Sequence, residues 1–338
     1  MMKTLKRVPP WLTLLLLAPV LGELVSGHQS PLEFINPVNF VILSLPYGLG
    51  ALICRELVVR WKKGWLSLLV LGVAYGIYEE AIVVHSVFNP EWAELGALAK
   101  YGYFAGVNWT WAELMIHFHA LISIGASVAL VQLMYPEQQH QRWLGNKGLA
   151  ACFVGILLWV PVMAVIMMVS KDWAAPPLGW YLVSWFAVFA LGYVAYRLPA
   201  QPLRFVRRVP AHPVWFFLLG LVNMFAFFFT VFLTADSGTP PLVVTALMLL
   251  VIDGVTLWLV LRWSGNGYGW DGRHYFALIA GFLAFFVYFS FDKDFEKWQG
   301  SAIIGLITIV ALWYLGRFVA RQVQSQREGR QSIRDNPA

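Results

Sequence analysis

Two acidic residues, Glu79 and Glu80, lie inside an apolar run that extends from Trp65 to Phe88. The run is long enough to cross a lipid bilayer. An ionisable side chain at that depth costs about 3 kcal/mol on insertion scales, so it marks a candidate functional site and needs a partner. Candidate partners follow in the segment Glu113-Leu-Met-Ile-His117-Phe-His119. Carboxylates and imidazoles in contact can transfer protons and activate water.

These residue types are compatible with three roles. In a hydrolase, glutamate would activate water and histidine would stabilise the developing oxyanion, with or without a metal. In a proton- or ion-coupled transporter they would form a relay, and in a structural role they would lock helices together. For a hydrolase we predict Glu80 and His119 as the working pair and Glu79 as an orienting or proton-holding group, with the choice between the carboxylates open. The predicted catalytic residues are Glu79, Glu80, His117 and His119, and the predicted supporting residues are Glu23, His85, Glu113 and Ser123.

Helical spacing separates the two histidines. Glu113 and His117 are four residues apart, so Glu113 could orient the His117 imidazole. His119 and Ser123 form a second polar stripe, turned by about 200° from His117 on an α-helix. One narrow site can hold both histidines only if the helix is distorted or flanked on both sides.

A divalent metal such as zinc could be bound by Glu80, His117 and His119, because zinc accepts imidazole and carboxylate ligands. The metalloprotease pattern of two histidines four residues apart with an intervening glutamate is absent from the sequence. The sequence therefore leaves the cofactor open.

The composition excludes an ordinary soluble protein. Hydrophobic residues make up 59% of the chain and charged residues 12%, where soluble domains have about a quarter charged. The mean hydropathy is +0.65. Basic residues lie in short clusters between apolar runs, which is typical of membrane loops and argues against a nucleic-acid partner.

The apolar runs predict an all-α, polytopic integral membrane protein with about ten transmembrane helices, embedded in the lipid bilayer as its principal partner. We assign residues 1–320 to a single transmembrane domain and 321–338 to a polar cytoplasmic tail. The segment Met1–Gly27 is expected to be retained as the first span, because no small-x-small cleavage site follows it. The predicted spans are 10–27, 38–59, 65–87, 112–135, 148–170, 178–197, 213–234, 240–262, 275–291 and 300–319.

The distribution of basic residues predicts the orientation. With the N-terminus inside, 20 of the 24 basic residues fall on the cytoplasmic side. Both termini are therefore predicted to be cytoplasmic, in the plasma membrane. The predicted site residues then share the outer half of the membrane, in a polar cavity that opens outward. Asn223 and Asp253 lie near mid-membrane and could hydrogen bond to each other in a structural role.

The doublet Glu79-Glu80, followed by a histidine-bearing span, resembles the CAAX-processing and bacteriocin-immunity family of intramembrane proteases. That family has a Glu-Glu-x-x-x-Arg motif, a Phe-x-x-x-His motif and a histidine followed four residues later by Asn or Asp. Here the doublet fits and His119 supplies the histidine of the second motif, whereas Val84, Met115 and Ser123 stand where the family has Arg, Phe and Asn or Asp. The resemblance implies water activation by the first glutamate and by histidine. We accordingly expect hydrolysis of a membrane peptide or a lipid-linked substrate; the alternatives are a transporter or a non-catalytic membrane protein.

Overall fold

The computed structural model describes residues 8–170, 173–201, 203–296 and 299–335, which form eleven helices and one two-stranded hairpin. The hairpin pairs β1 (Tyr103–Phe104) with β2 (Val107–Asn108) in antiparallel register. The helices are α1 Pro10–Val25, α2 Pro31–Phe34, α3 Pro37–Arg60, α4 Trp65–Val83, α5 Trp109–Met134, α6 Asn146–Ser170, α7 Leu178–Arg197, α8 Pro213–Ser237, α9 Leu242–Ser264, α10 Gly272–Glu296 and α11 Ser301–Asp335.

The helices confirm a polytopic all-α membrane protein. Within the described ranges, the nine helices α3 to α11 are long and apolar enough to cross a bilayer. Helix α1 is apolar but shorter, so the first of the ten predicted spans is the one that falls below the usual length. Helix α11 continues without a break past residue 320, where the sequence predicted the start of a polar tail. The cytoplasmic placement of the termini stays a prediction.

Helix α5 is the centre of the bundle. In its most apolar window 89% of residues are buried, against 11% for α7 and α9. The outer helices present apolar side chains to lipid, which requires no polar partner. The helix that carries both candidate histidines is therefore the one best shielded from lipid and water.

Helices α8 and α10 cross through glycine contacts. A side chain at Gly281 would overlap the carbonyl oxygen of Phe217, and one at Gly220 would overlap the carbonyl oxygen of Leu278. Membrane helices lack a hydrophobic driving force toward each other and rely on such close packing. The crossing of α8 and α10 therefore depends on these two small residues.

We predict that Gly281→Ala lowers the free energy of unfolding by about 1–3 kcal/mol, because the added methyl group forces two backbones apart. Thermal unfolding in detergent micelles measures the change. Gly254→Ala on α9 is the matched control, since a side chain at Gly254 meets no atom within 4 Å. Equal shifts for both variants would contradict the close-packing interpretation.

Asp271, just before α10, connects the start of this helix to the end of α11. Its carboxylate accepts hydrogen bonds from Arg273 at 2.8 Å and from Arg327 at 3.2 Å, and it lies 2.9 Å from the His274 imidazole. Burial alone would raise the pKa of Asp271, but the hydrogen bonds and positive charges of His274 and Arg273 outweigh it and hold the pKa below its ordinary value. The carboxylate is therefore ionised at neutral pH.

A lowered carboxyl pKa gives stabilisation that is present above the ordinary value and is lost as the pH falls through the folded-state value. We therefore expect Asp271→Asn to lower the melting temperature at pH 7, with a difference from wild type that shrinks below about pH 4. Melting curves across this range test the prediction. The exposed Asp236 supplies the control variant Asp236→Asn, which should show no such pH-dependent difference.

Candidate functional site

In the described part of the chain, three membrane helices contain a π-helical segment, and each segment carries predicted site residues. The segments are Val20–Val25 in α1, Tyr78–Val83 in α4 and His119–Ala126 in α5. A π turn contains an extra residue relative to an α turn and is frequent at functional sites. Glu23, the Glu79-Glu80 doublet and His119 all lie in such turns, so local helix distortion accompanies the cluster.

Glu80 and His119 are in direct contact, as the sequence predicted. The His119 Nε2 atom is 2.9 Å from Glu80 Oε1, and the other ring nitrogen, Nδ1, is 3.0 Å from Ser123 Oγ. In the tautomer in which Nε2 donates to Glu80, the unprotonated Nδ1 accepts a hydrogen bond from the Ser123 hydroxyl. The result is a directed chain from Ser123 through His119 to Glu80.

The second oxygen of Glu80 is also satisfied. Ser86 donates its hydroxyl to Glu80 Oε2, and the Trp111 indole N–H donates to Ser86 Oγ at 3.0 Å. Ser86 lies in the segment that connects α4 to the hairpin. This segment therefore closes over the carboxylate.

Two tyrosines bind the remaining carboxylates. The Tyr47 hydroxyl donates to Glu23 at 2.6 Å, and the Tyr75 hydroxyl donates to Glu79 at the longer distance of 3.5 Å. Both rings lie beside His119, with centroids 5.8 and 5.5 Å from the imidazole centroid. Each ring packs against a glycine. A side chain at Gly22 would overlap the Tyr47 ring, and one at Gly50 would overlap the Tyr75 ring.

Three carboxylates thus share one closed region of the bundle. Glu23, Glu79 and Glu80 are 8%, 7% and 5% exposed, and His119 is fully buried. The three carboxylates are close enough for their charges to interact.

His117 belongs to a different cluster on the opposite side of α5. Its Nδ1 atom is 3.0 Å from Asp253 Oδ2, and its ring stacks on Phe227 at a centroid distance of 3.7 Å. Asn223 donates to Asp253 at 3.1 Å, which confirms the predicted contact between those two residues. The predicted separation of the two histidines is therefore correct.

Two predictions about His117 are wrong. Its hydrogen bond goes to Asp253 instead of Glu113, although the Glu113 and Asp253 charges do interact. Because His117 faces away from Glu80 and His119, the metal set of these three residues is not assembled. Within the described ranges, no three His, Cys, Asp or Glu side chains are placed to hold a metal ion.

His85 lies apart from the carboxylates, beyond the end of α4. Its ring packs edge-on against Trp173 and Tyr181, and neither ring nitrogen makes a hydrogen bond of normal geometry with the described residues. Burial lowers the pKa of His85, so the imidazole is neutral at pH 7. Its backbone adopts a left-handed conformation, with φ of 56°. This is the geometry of a packed turn residue.

At this cluster the carboxylates and the imidazole are buried by the described residues, so they expose little surface toward the predicted outer face. Two cavities, of about 570 and 550 Å³, lie at the opposite end of the bundle.

Several polar partners of the cluster have little or no signal in the sequence. Tyr75 carries a usable signal, because it precedes Glu79 by four residues and so faces the same side of the helix. Tyr47 lies between Pro46 and Gly48, which marks close packing but no particular partner. Ser86 has no signal in the sequence, since its contact with Glu80 depends on how the chain turns after α4.

The comparison with known families fits this architecture. A model described as "Uncharacterized membrane protein family" matches residues 12–320. The chain belongs to this family. The matched region runs from within α1 to residue 320 of α11. No curated protein and no solved structure matches the chain.

The geometry predicts which residues are energetically coupled. In double-mutant cycles, Glu80→Gln and His119→Gln should show a coupling of about 1–3 kcal/mol, because the residues share a buried hydrogen bond. Glu80→Gln and His117→Gln should add within about 0.5 kcal/mol. Unfolding free energies from denaturant titration in bicelles measure both cycles. Equal coupling to the two histidines would contradict two separate clusters.

Proposed function

We propose that this protein is an intramembrane hydrolase in which His119 is the general base. The observation that carries the proposal is that the two ring nitrogens of His119 contact Ser123 Oγ at 3.0 Å and Glu80 Oε1 at 2.9 Å. This is the order of nucleophile, base and orienting carboxylate used in acyl transfer, which is recognised by geometry and roles.

In the proposed reaction, the Ser123 oxygen attacks the carbonyl carbon of a peptide or lipid-linked substrate. His119 accepts the hydroxyl proton at Nδ1 and then donates it to the leaving group. Glu80 holds the ring and stabilises its protonated form. Water then attacks the acyl carbon of the acyl-enzyme while His119 accepts a proton from it. As the bond from the acyl carbon to Ser123 Oγ breaks, His119 returns that proton to Ser123, and the free acid is released.

Glu79 supports a second way to the same overall reaction. Its contact with Tyr75 is long, at 3.5 Å, so its carboxylate retains acceptor capacity for a water molecule. Direct attack by a water that Glu79 activates is also what the resemblance to the CAAX-processing and bacteriocin-immunity proteases suggests. Variants at Ser123 and Glu79 separate the two routes.

The distribution of polar contacts argues against a transport path through both clusters. Phe118, which is 1% exposed, lies between His117 and His119 along α5. In the described part of the chain, no hydrogen bond joins the Glu80 cluster to Asp253 or Asn223. A relay across the membrane would need such a link.

The test is incorporation of heavy oxygen from labelled water, which detects hydrolysis of any acyl substrate. Proteoliposomes made from total host lipids and a set of transmembrane peptides are incubated with the purified protein, and products are analysed by mass spectrometry. We expect labelled carboxylates with wild type and a loss of about 10²–10⁴-fold with His119→Gln or Glu80→Gln, because general acid–base catalysis is removed. Ser123→Ala should be equally inactive if Ser123 is the nucleophile.

The exposed Glu91 provides the matched control Glu91→Gln. Labelling that persists in Ser123→Ala but is lost in Glu79→Gln would assign the attack to water. If wild type gives no labelled product while His119→Gln lowers thermal stability, the cluster is structural and the hydrolase proposal is wrong.

A further inference from the structure

The cavity of about 570 Å³ lies where α8 and α10 begin and where α11 leaves the apolar region. It is at the opposite end of the bundle from the Glu80 cluster. Its volume falls within the range of roughly 300–1,000 Å³ that is usual for small-molecule sites. The cavity has no role in the proposed hydrolysis.

The lining is amphipathic. Arg273 and Arg327 line the polar end, with guanidinium-bearing side chains that are 36% and 65% exposed. Phe217, Ala277 and Ala280 line the apolar wall between the helices. An apolar groove that leads from the membrane layer to two arginines fits a molecule with a hydrocarbon chain and an anionic head.

The charges at the polar end do not balance. Both guanidinium groups pair with one carboxylate, that of Asp271, at 2.8 and 3.2 Å. One negative charge between two positive charges leaves an excess positive charge. The exposed Arg207 and Arg208 immediately precede the wall residue Val209 and add to the field. Clusters of this kind at the ends of membrane helices attract anionic lipids.

The depth of the arginines fits a phospholipid headgroup. Arg273 lies at the first turn of the α10 span, one residue from its start at Gly272. Arg327 contacts Asp271, immediately before α10, so it lies at nearly the same depth as Arg273. Both side chains are therefore at the membrane–water interface, where phosphate groups lie. Guanidinium groups bind phosphate oxygens through paired hydrogen bonds.

We propose that this cavity binds one anionic phospholipid, with its phosphate at Arg273 and Arg327 and an acyl chain along Phe217, Ala277 and Ala280. The lipid phosphate supplies a second negative charge, so that together with Asp271 it balances the two guanidinium groups. Because the acyl chain fills the groove between α8, α10 and α11, the bound lipid stabilises the contact of these helices.

The experiment is native mass spectrometry of the delipidated full-length protein titrated with phosphatidylglycerol, with phosphatidylcholine as the zwitterionic comparison. We expect one saturable phosphatidylglycerol. The double variant Arg273→Gln/Arg327→Gln should weaken it by roughly tenfold or more, because two charge-assisted contacts are lost. The control Arg142→Gln/Lys147→Gln removes the same charge from exposed residues elsewhere and should bind as wild type does.

A second variant tests the acyl-chain half without changing charge. Ala277→Leu narrows the apolar groove and should weaken phosphatidylglycerol binding several-fold. This variant stays informative if the double arginine variant does not fold. Inorganic phosphate is the competitor that separates a lipid site from a phosphate site. Displacement of the lipid by inorganic phosphate at similar concentration, together with unchanged binding by Ala277→Leu, would overturn the lipid proposal. Equal loss in the two charge variants would overturn it as well.

Discussion

The hydrogen bond between Glu80 and His119 joins helices α4 and α5 at the centre of the bundle. An ionisable carboxylate in hydrocarbon is costly unless it is paired and its remaining lone pairs are satisfied. Here His119 occupies one oxygen of Glu80 and Ser86 the other. Satisfying this one side chain therefore links α4, α5 and the segment after α4, and it constrains how closely those elements must approach.

Helices α4 and α5 can approach this closely because α4 has glycines where it faces α5. A side chain at Gly72 would lie 2.9 Å from the Ala120 Cα atom, and one at Gly76 would lie 3.0 Å from the Ile116 Cα atom. Larger residues at these positions would separate the backbones and draw Glu80 away from His119. The glycines beneath Tyr47 and Tyr75 act in the same way, since they admit the rings that flank the imidazole. Small residues thus determine how closely the polar side chains of the two helices can approach each other.

The sequence predicted the number of apolar helices and the pairing of Glu80 with His119, because span length and depth depend on local composition and on the rise per residue. Helical spacing also predicted that His117 and His119 face different sides. It could not predict Asp253 as the partner of His117, since that contact depends on which helices are neighbours. The π segments could not be predicted either, because helical spacing was read on the assumption of a regular α-helix. The Ser86 contact was missed because a chain reversal after α4 creates it.

The three π segments carry a consequence for comparing this chain with its relatives. Each π turn holds one residue more than the α-helical path around it. A relative whose corresponding helix is regular would lack that residue, so its alignment would need a one-residue gap inside a membrane span, where gaps are otherwise disfavoured. A gap of this kind near Glu23, Glu79 or His119 would identify family members whose helix presents these positions on a different face. The sequence alone would then show that the polar cluster is not assembled in the same way.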